Sequence, residues 1–253
     1  NSSTGVLKMY ASAGSWATGG NLGTARYYIE GCGTQTAAIV QGGSPGTIVV
    51  AETYDGSSWT EVADLNQGRR QMASTGTQTA ALCMGGQTAG NPDLGTVNVE
   101  AWNGTSWTEG ANLTAAQQAW VGTGTTTAAF GFGGGVSSPS SVSEITQTWD
   151  GSSWTADTGL NTDRKWPGGA GATSTSAICI GGHPNRDIVE TWNGTAWTEV
   201  ADLGTARYSG AGAGIVTSAI HAGGRSGTTI YANTEEWDGS SWAEVADLAT
   251  ARS

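Results

Sequence analysis

Basic residues are scarce in this chain. Ten Lys and Arg stand against 21 Asp and Glu, a formal charge of −11. Sequence-independent binding to nucleic acid needs the opposite balance, because it works by displacing counterions from phosphates. The same deficit disfavours an anionic membrane surface and suits a soluble particle whose copies repel one another. No apolar run approaches the roughly 18 residues of a membrane-spanning helix, so no membrane insertion is expected. Histidine and cysteine are equally thin, with two and three copies. Neither His183 nor His221 has a partner at metal-ligand spacing, and no Ser-His-Asp or Cys-His set converges. The expectation is therefore no catalytic residue, no metal and no cofactor: a non-enzyme. Cys83 and Cys179 hold the same place in two non-adjacent repeats, too far apart to bridge, and read as small buried thiols. His221 falls at that place in another repeat and is read the same way. No signal peptide is visible, but the chain starts at Asn1 rather than Met, which reads as a processed form or an excerpt.

What the chain does hold is Gly and Trp: 41 and 12 copies, against two Phe. Glycine supplies turns and close backbone approaches, and Trp supplies large buried area at few positions. Both are distributed by a repeat. The stretch from Glu190 to Arg207 reads as strand, tight turn, strand and a short link to the next strand, with Asn193-Gly194 at the turn. Asn-Gly or Asp-Gly between β-prone flanks predicts a two-residue hairpin turn with both central residues at positive φ. The phrase recurs around Trp59, Trp107, Trp154 and Trp242, and in worn form around Trp16. These five full copies space their Trp residues by 48, 47, 43 and 45, the period of a four-stranded propeller blade.

Each unit divides into four strands of an expected six to eight residues, a to d. Strand a follows an Arg or its substitute: Arg26, Arg69, Gln117, Arg164, Arg207. Strand b ends in Gly-Gly, strand c ends in an aromatic (Tyr54, Trp102, Trp149, Trp192, Trp237), and strand d opens with the repeated Trp. The expected fold is an all-β propeller of four-stranded blades forming one domain over 1–253. It comprises a half blade at 6–22, blades at 23–65, 66–113, 114–160, 161–203 and 204–248, and a strand start at 249–253. Residues 1–5 read as a polar lead-in. The N-terminal hairpin and the C-terminal Arg252 together favour six ring positions; a five-blade ring with a spare hairpin is the alternative.

An internal comparison bears on the packing. The Arg before strand a and the Glu two before the strand-c aromatic run Arg26/Glu52, Arg69/Glu100, Arg164/Glu190 and Arg207/Glu235, and in the third unit both change together, to Gln117 and Gln147. A joint loss of both charges is what a buried ion pair requires, since one lone buried charge would be costly. This Arg is read as a strut and not an anion site. Lys8 breaks the pattern opposite Arg252.

Arg, then Gly-Gly, then an aromatic with Asp or Asn, then Trp, in this order and period, resembles the kelch repeat over essentially the whole chain. The Ser/Thr-rich and Trp-rich wording, as in Trp237-Asp238-Gly239-Ser240-Ser241-Trp242, also resembles propeller repeats in virion proteins of marine tailed phages. That resemblance implies an extracellular or virion-surface location and other virion or filament subunits as partners. The turn is similar to the Asp-box of sialidases but lacks one residue between Asp and Gly, and no Arg triad accompanies it.

In a propeller the d–a and b–c connections share one face. Here the b–c loops vary greatly, as do the residues just after the strut, whereas the c–d turns barely change. Variation confined to one face of a repeated scaffold points to recognition there. The candidate ligand-binding residues are Tyr27, Tyr28, Arg70, Gln118, Lys165, Trp166 and Tyr208. Flat aromatic faces beside amide and guanidinium donors suit sugar rings, which offer C–H patches and hydroxyls together. The expected function is a non-catalytic surface module recognising a cell-surface glycan or protein. The alternative is a structural decoration or filament subunit that contacts copies of itself or a shell protein.

Overall fold

Alternating small and β-prone residues between Gly-rich turns produce strands throughout, and no helix occurs among the described residues. The computed structural model describes residues 6–11, 15–137 and 141–253. The lead-in at 1–5, part of the third b–c loop and the side chain of Lys8 lie outside the described residues. Five four-stranded antiparallel sheets follow one another in chain order. The first runs Glu30–Thr34, Ala37–Gln41, Ala51–Tyr54 and Trp59–Val62. The fourth, with the longest strands, runs Gly168–Thr173, Ser176–Gly182, Arg186–Trp192 and Trp197–Val200. Most strands are shorter than the expected six to eight residues, because the Gly-Gly after strand b and the caps around strand d end the ladders early.

Strand a of each sheet packs beside strand a of the next, giving a propeller-like arrangement around a central cavity. Glycine permits the approach: a Cβ on Gly212 would stand 2.5 Å from the backbone nitrogen of Gly169 in the neighbouring blade. Four buried apolar clusters fill the junctions between successive blades. Three of the strand-d Trp residues belong to them: Trp107 packs with Ile39 and Ala51 of the blade before it, Trp154 with Leu82 and Val99, and Trp197 with Phe130 and Phe132.

The register repeats from blade to blade. Tyr54 pairs with Trp59, Trp102 with Trp107, Trp149 with Trp154, Trp192 with Trp197 and Trp237 with Trp242. Their rings lie 5.0–5.5 Å apart. The turn between them corrects the sequence expectation. It spans four residues, and of these only the Gly has positive φ, at 94–97°. The Asp or Asn acts through its side chain, not its backbone. Asp238 Oδ1 accepts the N–H groups of Ser240 and Ser241, both at 2.8 Å, and Asn193 Oδ1 does the same with Thr195 and Ala196. Hydrogen bonds from the Ser240 side chain and from both backbone N–H groups hold Asp238 down at about 2.

The N-terminal hairpin, Val6–Ala11 with Ser15–Asn21, repeats this register through Tyr10 and Trp16. Trp16 Nε1 donates to Ala246 O at 3.1 Å and Thr234 Oγ1 at 3.3 Å in the fifth blade. Its second strand touches the first blade: a Cβ on Gly20 would stand 2.7 Å from Ser57 O. The three cysteines are free; Cys83 and Cys179 are fully buried, and burial pushes both thiols up to about 12. His221, at the same register position, fills the space beside Gly168 and Gly210, and burial holds it down at about 3.

Candidate functional site at the channel mouth

The floor of the site is the strut layer. Arg26, Arg69, Arg164 and Arg207 are buried and paired with Glu52, Glu100, Glu190 and Glu235. Arg164 also donates to Thr162 O at 3.1 Å, Gly181 O at 3.2 Å and Ile188 O at 2.7 Å. Each Glu caps the incoming link in turn: Glu190 accepts Asn161 N at 2.8 Å and Glu235 accepts Gly204 N at 2.7 Å. In the third blade the amides divide the task. Gln147 Oε1 accepts Thr114 N at 2.8 Å, so the cap survives without charge, whereas Gln117 donates to Ser143 Oγ at 3.3 Å instead of meeting Gln147.

Above the struts, the next two residues of every blade form the rim. The first bridges to the residue after Gly-Gly: Tyr27 to Ser44, Arg70 to Gln87, Gln118 to Gly135, Lys165 to His183 and Tyr208 to Arg225. This places the two variable segments side by side on one face. The second residue is left-handed in every blade, with φ of 54° at Tyr28, 54° at Gln71, 56° at Ala119, 50° at Trp166 and 58° at Ser209. None is Gly, and such a residue costs about 1–2 kcal/mol. A belt of backbone hydrogen bonds holds them: Gln71 N to Tyr28 O, Ala119 N to Gln71 O, Trp166 N to Ala119 O and Ser209 N to Trp166 O, at 2.7–3.1 Å. All five border the central cavity, of about 600 Å³.

The predicted residues share this rim but not one environment. Tyr27 and Tyr28 are exposed, at 37% and 43%, with rings edge to face 5.0 Å apart. Arg70 is tied to Gln87 Oε1 at 2.8 Å, and Gln118 is buried with its amide on Asp93 O at 3.3 Å. Lys165 and Tyr208 are buried at 3% and 8% exposure. Trp166 stacks on Tyr208 with centroids 6.0 Å apart, and Lys165 Nζ lies 4.6 Å over the Trp166 ring. Two residues of this cluster escaped the sequence reading. His183 meets the Trp166 and Tyr208 rings edge-on, and the Arg225 guanidinium lies 5.0 Å from the Tyr208 ring. A signal existed for both: the residue after Gly-Gly varies as freely as the residue after the strut.

A scan against protein-family models finds no match, and no curated protein matches. Among solved structures, one described as "Structure of YjhT" superposes with a TM-score of 0.75 at 15% identity, covering 92% of this chain and 87% of that chain. At that identity the likeness speaks for the fold alone, and it agrees with the propeller-like arrangement of sheets. Among the described residues, no helix is long and apolar enough to cross a membrane.

Proposed function

We propose that the protein is a non-catalytic binding module that recognises a glycan or a protein through the d–a and b–c face. The observation that carries this reading is the rim itself. Side chains that differ in every blade are set in left-handed backbone over one cavity, on a strut layer that scarcely changes. Placement on a virion or another extracellular surface is part of the proposal and rests on the likeness to kelch-type phage repeats. Tyr27 and Tyr28 are the free aromatic faces. Replacing both with Ala is expected to abolish retention on a glycan array or on host cells without shifting the melting temperature. A stacked ring contributes about 0.5–1.5 kcal/mol beyond its area, so losing two weakens a micromolar site past easy detection. Unchanged retention would remove glycan recognition at this edge.

A second reading, a structural subunit, is favoured by a different observation. Leu94, Val136 and Ile230 are exposed at 44%, 44% and 49%, and all three stand on b–c loops of the same face. Under this reading, Leu94→Ser with Ile230→Ser disrupts assembly, whereas the tyrosine variant assembles normally.

The proposal takes the ring as having six positions, the sixth shared by the N-terminal hairpin and Arg252. Trp16 meets Thr234 as Trp197 meets Thr146, and Arg252 O accepts Gly224 N as Arg207 O accepts Gly182 N. The cavity also spreads outward at this junction, past Leu22 to Trp59. Appending a copy of residues 209–224 after Ser253 supplies strands a and b there and is expected to raise the melting temperature. No rise would favour five.

A further inference from the structure

We propose that the junction between the fourth and fifth rims is a subsite for an anionic group, a carboxylate, sulfate or phosphate carried by the ligand. This rests on the binding-module reading and narrows it to an acidic ligand.

Positive charge without a counterpart gathers at this junction. In a chain of net charge −11, Lys165 and Arg225 have no carboxylate within ion-pair distance among the described residues. The third cation nearby, Arg186, is held by Asp163 at 3.3 Å. Lys165 is also nine-tenths buried and more, a position that Lys almost never takes without a partner. Around it, three buried nitrogens have no protein partner: Trp166 Nε1, His183 Nδ1 and Arg225 Nε. Buried polar groups are ordinarily satisfied, and here an indole and a guanidinium N–H without a partner collect beside an imidazole whose charged form is disfavoured by burial and by Lys165 and Arg225.

Rigidity supports the same conclusion. Lys165 and Tyr208 are each bridged to a b–c loop, through His183 and Arg225. The Trp166 backbone is gripped from both sides by the belt, so the donors are pre-ordered. Trp166 and Arg225 border the cavity together with Tyr28, so one ligand can place an acidic group at this junction and a ring against the free tyrosines. Glu30 borders the cavity too, as an exposed side chain of the first blade that makes no ion pair with Lys165 or Arg225. A charge-assisted hydrogen bond is the strong kind, and the cluster offers several.

The test follows the indole Nε1–H signal of Trp166 by NMR at low salt, with glucuronate, a sulfated glucose, inorganic sulfate and inorganic phosphate as probes and glucose as the neutral control. The anions are expected to shift the signal and glucose is not. Lys165→Met and Arg225→Gln are each expected to weaken binding about tenfold or more, with melting temperature measured alongside as a check on folding. Glucose shifting the signal as strongly as glucuronate, or full affinity in both variants, would overturn the inference. If neutral glycans are captured on an array without preference for acidic ones, the binding module stands and the anionic subsite falls. If sulfate and phosphate bind but no glycan is retained, the subsite stands and the glycan reading falls.

Discussion

Arg164 and Lys165 are neighbours in the chain, both buried and both cationic, yet the fold treats them in opposite ways. Arg164 is fully buried and bonded to Glu190 and to three backbone carbonyls. Lys165 is 3% exposed and lies over an indole face with no carboxylate partner among the described residues. Burial alone therefore does not tell scaffold from site in this molecule. What separates them is whether the surroundings complete the group, and whether the neighbouring blades repeat it. The strut position repeats in four blades and meets a carboxylate in each; the position after it changes from blade to blade, and at Lys165 it has no carboxylate partner among the described residues.

The strongest way to break this comparison is at the strut. Arg164→Ala is expected to destabilise by about 3–5 kcal/mol, because it leaves the Glu190 carboxylate buried and unpaired. The double change Arg164→Gln with Glu190→Gln is expected to cost much less. The amide oxygen introduced at position 190 can still accept the N–H groups of the 161–162 link, as Gln147 does from Thr114. Some loss remains, because the third blade also gives Gln117 a hydroxyl at Ser143, and the fourth blade has Arg186 there. Urea denaturation of both variants decides it, and equal losses would dissolve the pairing.

A smaller effect sharpens the scaffold side. Trp197 Nε1 donates to Thr146 Oγ1 at 3.2 Å across a blade junction, whereas Trp154 Nε1, packed in the same way against Val99, has no partner. Thr146→Val should cost about 1 kcal/mol and Val99→Thr should recover a similar amount, the usual net value of one such bond. Opposite signs in thermal melts are the expected result; a loss in both would show that hydroxyl burial outweighs the bond.

These contrasts also mark what could be read in advance. The blade period, the strand register and the Arg/Glu pairs were legible because each is carried by residue identity at a fixed spacing. The shared rim was legible because the d–a and b–c connections vary together. The turn was misread because Asp and Asn can act either through αL backbone or through the side-chain oxygen, and the Ser or Thr two residues on completes the second option. The left-handed belt left no trace, since its members are Tyr28, Gln71, Ala119, Trp166 and Ser209 and their φ is imposed by the next blade. Burial of Lys165 and Tyr208 was missed for a similar reason: the cover comes from His183 and Arg225, which are distant in sequence.

The smallest expected effect is the most telling about the site. Lys165→Met removes an ammonium that has no carboxylate partner among the described residues and keeps a flexible apolar side chain over Trp166. Desolvation by burial lowers the Lys165 pKa from its ordinary value. Between the lowered folded value and the unfolded value, the unfolded chain binds more protons, so this group's contribution to stability rises with pH through that window. Below it the charged Lys165 is a standing cost, and the variant should therefore melt at or slightly above the wild-type temperature at neutral pH. Raising the pH through the alkaline range should narrow any such gap. A loss of more than about 1 kcal/mol at pH 7 is more than removing a cation with no carboxylate partner should give, and it would move Lys165 from the site into the scaffold beside Arg164.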